Sequence, residues 1–201
     1  MPTADNSGIK INYEVIGVGP PLILQHGLTS KLDKWNWFGY VDVLKNNYKV
    51  ISVDARGHGK SDKPYDAALY DRKIMASDIV SVMDAESINE AHYMGYSMGG
   101  SIGFGLAEAF PQRFHSLIIG GMHPYPLGDL ELEPRVKVLD LMLESLEHGM
   151  DVYVGGLEPA PDEREREHLL SLMLPKLSTI YQHMDTTQLL CLYPLLIITI
   201  S

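Results

Sequence analysis

Cysteine is nearly missing from this chain: Cys191 is the single one in 201 residues. That excludes an internal disulfide framework and any metal site built on a cysteine cluster. Long apolar runs are missing too, and no stretch approaches the roughly 18 residues of a membrane-spanning helix. The opening residues Met1-Pro2-Thr3-Ala4-Asp5-Asn6 lack the basic-then-apolar order of a secretory signal, so a cytoplasmic location is expected. Positive charge is in short supply, with 16 Lys and Arg against 26 Asp and Glu and a net charge of −10. Such a balance speaks against a nucleic-acid surface and against an anionic membrane patch. No repeats or low-complexity segments are visible.

What is present fits an ordinary globular domain. Apolar residues make up 45% and charged residues 21%, close to the averages of folded domains. Residues 9–16 alternate apolar and polar with period two and read as a half-exposed strand, ended by Gly17-Val18-Gly19-Pro20-Pro21. Short apolar strands are expected at 22–25, 49–54, 91–94 and 117–120. Between them, helical spacing appears at 35–44, at 70–85 and in the Gly- and Ala-rich run 101–110. Strands alternating with helices predict an α/β fold with a doubly wound, mostly parallel sheet. Ligands of such sheets sit at the carboxyl ends of the strands. His26, Asp54, Ser97, Met122 and His123 are all expected at that edge.

The rhythm changes after Pro124. Residues 124–190 show helical stripes such as Val136, Leu139, Met142, Leu143 and Leu146, and no strands. An all-helical insert above the strand ends predicts a cap over a pocket, with 1–123 as the N-terminal core. A strand pattern resumes within 191–201, at 195–200.

Chemistry points to Gly95-Tyr96-Ser97-Met98-Gly99-Gly100, a G-x-S-x-G segment between an apolar strand and a helix. A strand turning at once into a helix leaves its turning residue strained and at the crest, and small neighbours are needed where the arms meet. Ser97 is therefore the candidate nucleophile. The amides of Met98, at a helix start, and of Leu28, after His26-Gly27, are the candidate oxyanion donors. His26, Tyr96, Met122 and His123 are expected to border the substrate pocket, with His26 holding its loop rather than reacting. The loop Asp54-Ala55-Arg56-Gly57-His58-Gly59-Lys60-Ser61 lacks the spacing of a phosphate-binding loop and reads as structural, tied by hydrogen bonds and charge. Neither a metal nor a cofactor is expected.

With these motifs assembled, the chain resembles the α/β-hydrolase fold superfamily, in its esterase, perhydrolase and C–C hydrolase branch. The residues that carry the likeness are His26-Gly27, Asp54-x-Arg56-Gly57-His58-Gly59-x-Ser61-Asp62-Lys63-Pro64, Gly95 to Gly100 and Pro111-x-Arg113. The resemblance implies Ser97 as nucleophile, Leu28 and Met98 as oxyanion hole, and a cap over about 124–190. It also implies an acid and then a histidine after the cap, and the sequence ends before either expected position. Substitutes are Asp129, His123, His148, His168 and His183. The expectation is thus a C-terminally truncated hydrolase for a small ester or related acyl substrate, missing a last strand and its covering helices. Its uncovered sheet edge would favour self-association. Two alternatives stand beside it: a ligand-binding protein without turnover, and a C–C hydrolase, acyltransferase or perhydrolase.

Overall fold

A computed structural model describes residues 1–122, 148, 150–156, 160–170 and 196–199. Its strands are β1 (Thr3–Asn6), β2 (Ile9–Ile16), β3 (Pro21–Gln25), β4 (Lys49–Val53), β5 (Ala91–Tyr96), β6 (Phe114–Gly120) and β7 (Leu196–Thr199). The helices are α1 (Lys34–Trp37), α2 (Tyr40–Leu44), α3 (Arg72–Ala85), α4 (Met98–Ala109), α5 (Met150–Gly155) and α6 (Glu163–Leu170). The strands form one sheet in the order β1-β2-β4-β3-β5-β6-β7. Its centre, β4-β3-β5-β6, is parallel, and β1, β2 and β7 run antiparallel to their neighbours.

Both faces of the parallel strands are covered, as their near-continuous apolar sequences require. Successive side chains of a strand point to opposite faces. Ile23, Ile51, Val53 and Tyr93 accordingly join α3 and α4 in one core, with Ile79, Val82, Met83, Ile102 and Leu106. Leu22, Leu24 and Val50 pack on the other face against Trp35 and Val41 of α1 and α2. The sheet is doubly wound, as its sequence alternation predicts.

Two local features differ from the sequence reading, and a third fixes where the last strand ends. Strand β1 was not expected; it closes a hairpin with β2 through Ser7-Gly8, both at positive φ (56° and 86°), the backbone a two-residue hairpin turn prefers. The expected helix over 35–44 is two short helices, because Gly39 between them takes a φ of 78°. Strand β7 pairs Leu196 with Ile119 and Thr199 with Ser116, so its carboxyl end lies at the sheet edge opposite Ser97.

Within the expected cap, the described parts are α5, α6 and their flanks, with no strand among them. His123, Asp129, His183 and Cys191 lie outside the described residues. Among the described residues, no helix is long and apolar enough to cross a membrane.

Candidate active site

Strand β5 turns directly into α4 at Ser97, whose φ is 53°. A non-glycine residue held there costs about 1–3 kcal/mol and persists only where its surroundings force it. Here they do. A methyl on Gly95 would lie 2.3 Å from the carbonyl oxygen of Gly99, and one on Gly99 equally close to that of Gln25. The two arms therefore touch through glycine alone. The Ser97 N–H donates to the Gly120 carbonyl at 2.8 Å, joining the turn to the end of β6. From beneath, the buried Tyr93 hydroxyl donates to the Gly99 carbonyl at 2.7 Å. Burial alone raises the pKa of that phenol, so it stays a donor.

Ser97 faces a cavity of about 880 Å³, whose walls include His26, Gly27, Leu28, Tyr96 and Gly121. Gly27 lies so close that a methyl there would sit 3.2 Å from the Ser97 Cβ. Neither the Leu28 nor the Met98 N–H has a hydrogen-bond partner among the described residues. Met98 opens α4, where backbone donors are left without intrahelical acceptors and attract negative charge. Its side chain is buried in the core, leaving only its amide for the site. Tyr96 is half-exposed and covers Gly121, which has a φ of 62°. Met122 does not border the cavity. The turn at Gly121 sends its side chain into the core, where a methyl on Gly100 would meet its Cβ at 2.7 Å.

The sheet, the strand-to-helix turn and the loop beside it find their counterparts among known proteins. Residues 20–174 match the family of the alpha/beta hydrolase fold. The chain belongs to that family. A 2-hydroxymuconate semialdehyde hydrolase of Pseudomonas sp. (strain CF600) is 35% identical over 116 residues, 57% of this chain and 41% of that protein. A 3-oxoadipate enol-lactonase 2 of Acinetobacter baylyi is 33% identical over 113 residues, covering 55% and 41%. The chain thus spans about half or less of the curated relatives it matches. Among solved structures, an esterase from Exiguobacterium antarcticum superposes with a TM-score of 0.71 at 26% identity, covering 93% of this chain and 72% of its own. An epoxide hydrolase from Bacillus megaterium reaches 0.76 at 17% identity, covering 96% and 77%, and shows the fold alone.

In this member of the alpha/beta hydrolase fold family the loop after β4 is a brace, as its sequence suggests. Asp54 accepts from the Leu32 N–H (2.8 Å), the Asn12 amide (2.8 Å) and the Lys60 N–H (2.9 Å). Its carbonyl takes the Ser61 hydroxyl at 2.7 Å. Arg56 turns away from that loop. Its guanidinium grips Asp78 of α3 through two nitrogens, and a third donates to the Leu69 carbonyl at 2.7 Å. Asp78 went unnoticed in the sequence, although a buried arginine needs such a partner.

The histidines divide by bonding. The Ala55 N–H donates to His26 Nε2 at 3.1 Å, so the proton belongs on Nδ1, which then donates to the Gly27 carbonyl at 2.7 Å. His26 is the one described histidine that borders the cavity, and both its nitrogens are spent on holding loops. His58 is fully buried 5.3 Å from it, ring to ring. Burial first, then the neighbouring His26, push its pKa down to about 3. His92 bonds Ser116 near the amino ends of β5 and β6, away from Ser97.

The cavity wall also holds Ser30, Lys34 and Trp35, and Glu165 of α6 closes on it. None of these was singled out in the sequence. Trp35 reads there as an apolar helix position, and Ser30 and Lys34 match no motif.

Proposed function

We propose that the protein is a serine hydrolase acting on a small ester or related acyl substrate through an acyl-enzyme on Ser97. One observation carries the reading: Ser97, at a φ of 53°, stands at the cavity wall with Leu28 beside it on that wall and Met98 next in the chain, and neither of their amides has a partner among the described residues. The Ser97 hydroxyl attacks the substrate carbonyl, and the N–H groups of Leu28 and Met98 receive the oxygen that becomes negative. Each such donor contributes about 2.7–4 kcal/mol in comparable sites. The serine proton passes to a base, which hands it to the departing alcohol as the ester C–O bond breaks, and water then hydrolyses the acyl-enzyme and frees Ser97. His26, committed to its loops, is not that base. The esterase among the structural relatives and the enol-lactonase among the sequence relatives support acyl chemistry.

The reading is tested by release of p-nitrophenol from p-nitrophenyl butyrate. Release is expected, and Ser97→Ala lowers its rate about a thousandfold or more. Release that survives Ser97→Ala unchanged contradicts it. The 35% identity to the 2-hydroxymuconate semialdehyde hydrolase favours a second reading, cleavage of a C–C bond in the same cavity. Faster turnover of 2-hydroxymuconate semialdehyde than of the ester, again lost in Ser97→Ala, would favour it over the first.

A further inference from the structure

The segment 29–35 has an unusual stock of unspent donors. Ser30 is 8% exposed and Trp35 6%, both border the cavity, and neither the Ser30 hydroxyl nor the Trp35 indole nitrogen has a hydrogen-bond partner among the described residues. Buried polar atoms left unpaired cost stability and call for an explanation. Between them, Lys34 also borders the cavity. Its ammonium lies 4.0 Å from the centre of the Trp37 ring and 5.3 Å from that of Phe38, and no described carboxylate comes within ion-pair distance.

The segment is held in place rather than collapsed. Its Leu32 N–H is fixed to Asp54, the Lys34 N–H donates to the Lys31 carbonyl at 3.1 Å, and Thr29 sits at a φ of 50°. The open donors are therefore presented by a braced loop that follows Leu28, a residue bordering the same cavity as Ser97.

An indole N–H and an ammonium only donate, and a serine hydroxyl can. Their complement is a group that only accepts, and beside an ammonium the best such group is a carboxylate. We propose that Lys34, seconded by Ser30 through a rotation of its hydroxyl, holds a carboxylate of the substrate. The preferred substrates are then acyl compounds that carry a free carboxylate a few atoms from the carbonyl under attack. This deepens the serine-hydrolase reading and rests on it.

Glu165 contributes to the charge balance. The Lys34 pKa is lowered, chiefly by burial, and Glu165, then Asp33 and Asp162, offset part of that. Glu165 also borders the cavity and repels an arriving anion, so one carboxylate is accepted and a second is disfavoured.

The test is a tryptophan-fluorescence titration of the Ser97→Ala protein with monomethyl succinate and with the neutral dimethyl succinate. The monoester is expected to bind about tenfold or more tightly than the diester, as a charge-assisted contact implies. Lys34→Met removes that preference, and Lys34→Arg keeps it. In the independent arm, Glu165→Gln tightens the monoester by about threefold, as removal of one nearby like charge should. Equal binding of the two probes overturns the proposal, as does a preference that persists in Lys34→Met or a monoester weakened by Glu165→Gln. The two readings can fail separately. A carboxylate preference in a protein without Ser97-dependent ester turnover keeps the anion site and removes the hydrolase. Turnover without the preference does the reverse.

Discussion

Two loops leave the same edge of the sheet and treat their polar groups in opposite ways. After β4, Asp54, Arg56 and Ser61 spend their hydrogen bonds inward, on Leu32, Asn12, Lys60, Asp78 and Leu69. After β3, the Leu28 amide, the Ser30 hydroxyl and the Trp35 indole have no partner among the described residues. The first loop is architecture and the second is addressed to a ligand. Their sequences look equally rich in functional residue types, and it is the bonding that separates them. The two are also coupled, since Asp54 fixes Leu32 and His26 joins Gly27 to Ala55.

The contrast breaks most severely at the inward-bonded loop. Arg56→Met leaves Asp78 buried without its ionic partner, with only the Asn6 amide still donating to it, and is expected to cost about 3–5 kcal/mol in urea unfolding. Adding Asp78→Leu should recover much of it, because two apolar groups replace a buried pair. A loss below about 1 kcal/mol in the single variant would mean the loop is not the brace described here.

Next comes pH. His58 has a folded-state pKa of about 3 against 6.5 when free, so the unfolded chain takes up the proton first. Its contribution is complete above pH 6.5 and is lost as the pH falls toward 3. Between pH 6.5 and about pH 4 the loss is on the order of 3 kcal/mol. The stability of His58→Leu, followed by urea unfolding across that interval, should decline less than that of the wild type. Parallel declines would place the sensitivity elsewhere.

The smallest effects belong to the open loop. Ser30→Ala removes a buried hydroxyl with no partner among the described residues, so stability should stay within about 1 kcal/mol or rise. A thermal-unfolding comparison decides it. A large loss would show that the group is spent on the fold after all.

Much of the fold was legible in the sequence because period-two and helical spacing report burial directly. The elbow was legible because its steric demand can be met only by glycine at 95 and 99. The hairpin partner of β2 was not, since Thr3 to Asn6 is mostly polar and is held by pairing with β2, by the single buried Ala4 and by Asn6 bonding to Ser77 and Asp78. The break at Gly39 was hidden by apolar spacing that continues across it. Met122 was misplaced because sequence order says which edge a residue reaches, and Gly121 decides which way its side chain turns. Arg56 and Asp78 lie 22 positions apart, and Ser30, Lys34 and Trp35 differ from neighbouring polar and apolar residues only in what they fail to bond. An unmet hydrogen bond has no sequence pattern.

The account depends most on whether Ser97 is an activated nucleophile. Incubation of the folded protein with a fluorophosphonate, followed by peptide mass spectrometry, reads this directly. The account predicts one adduct, on the peptide containing Ser97, absent from Ser97→Ala. Folded protein that carries no adduct there, or carries it on another serine, contradicts it.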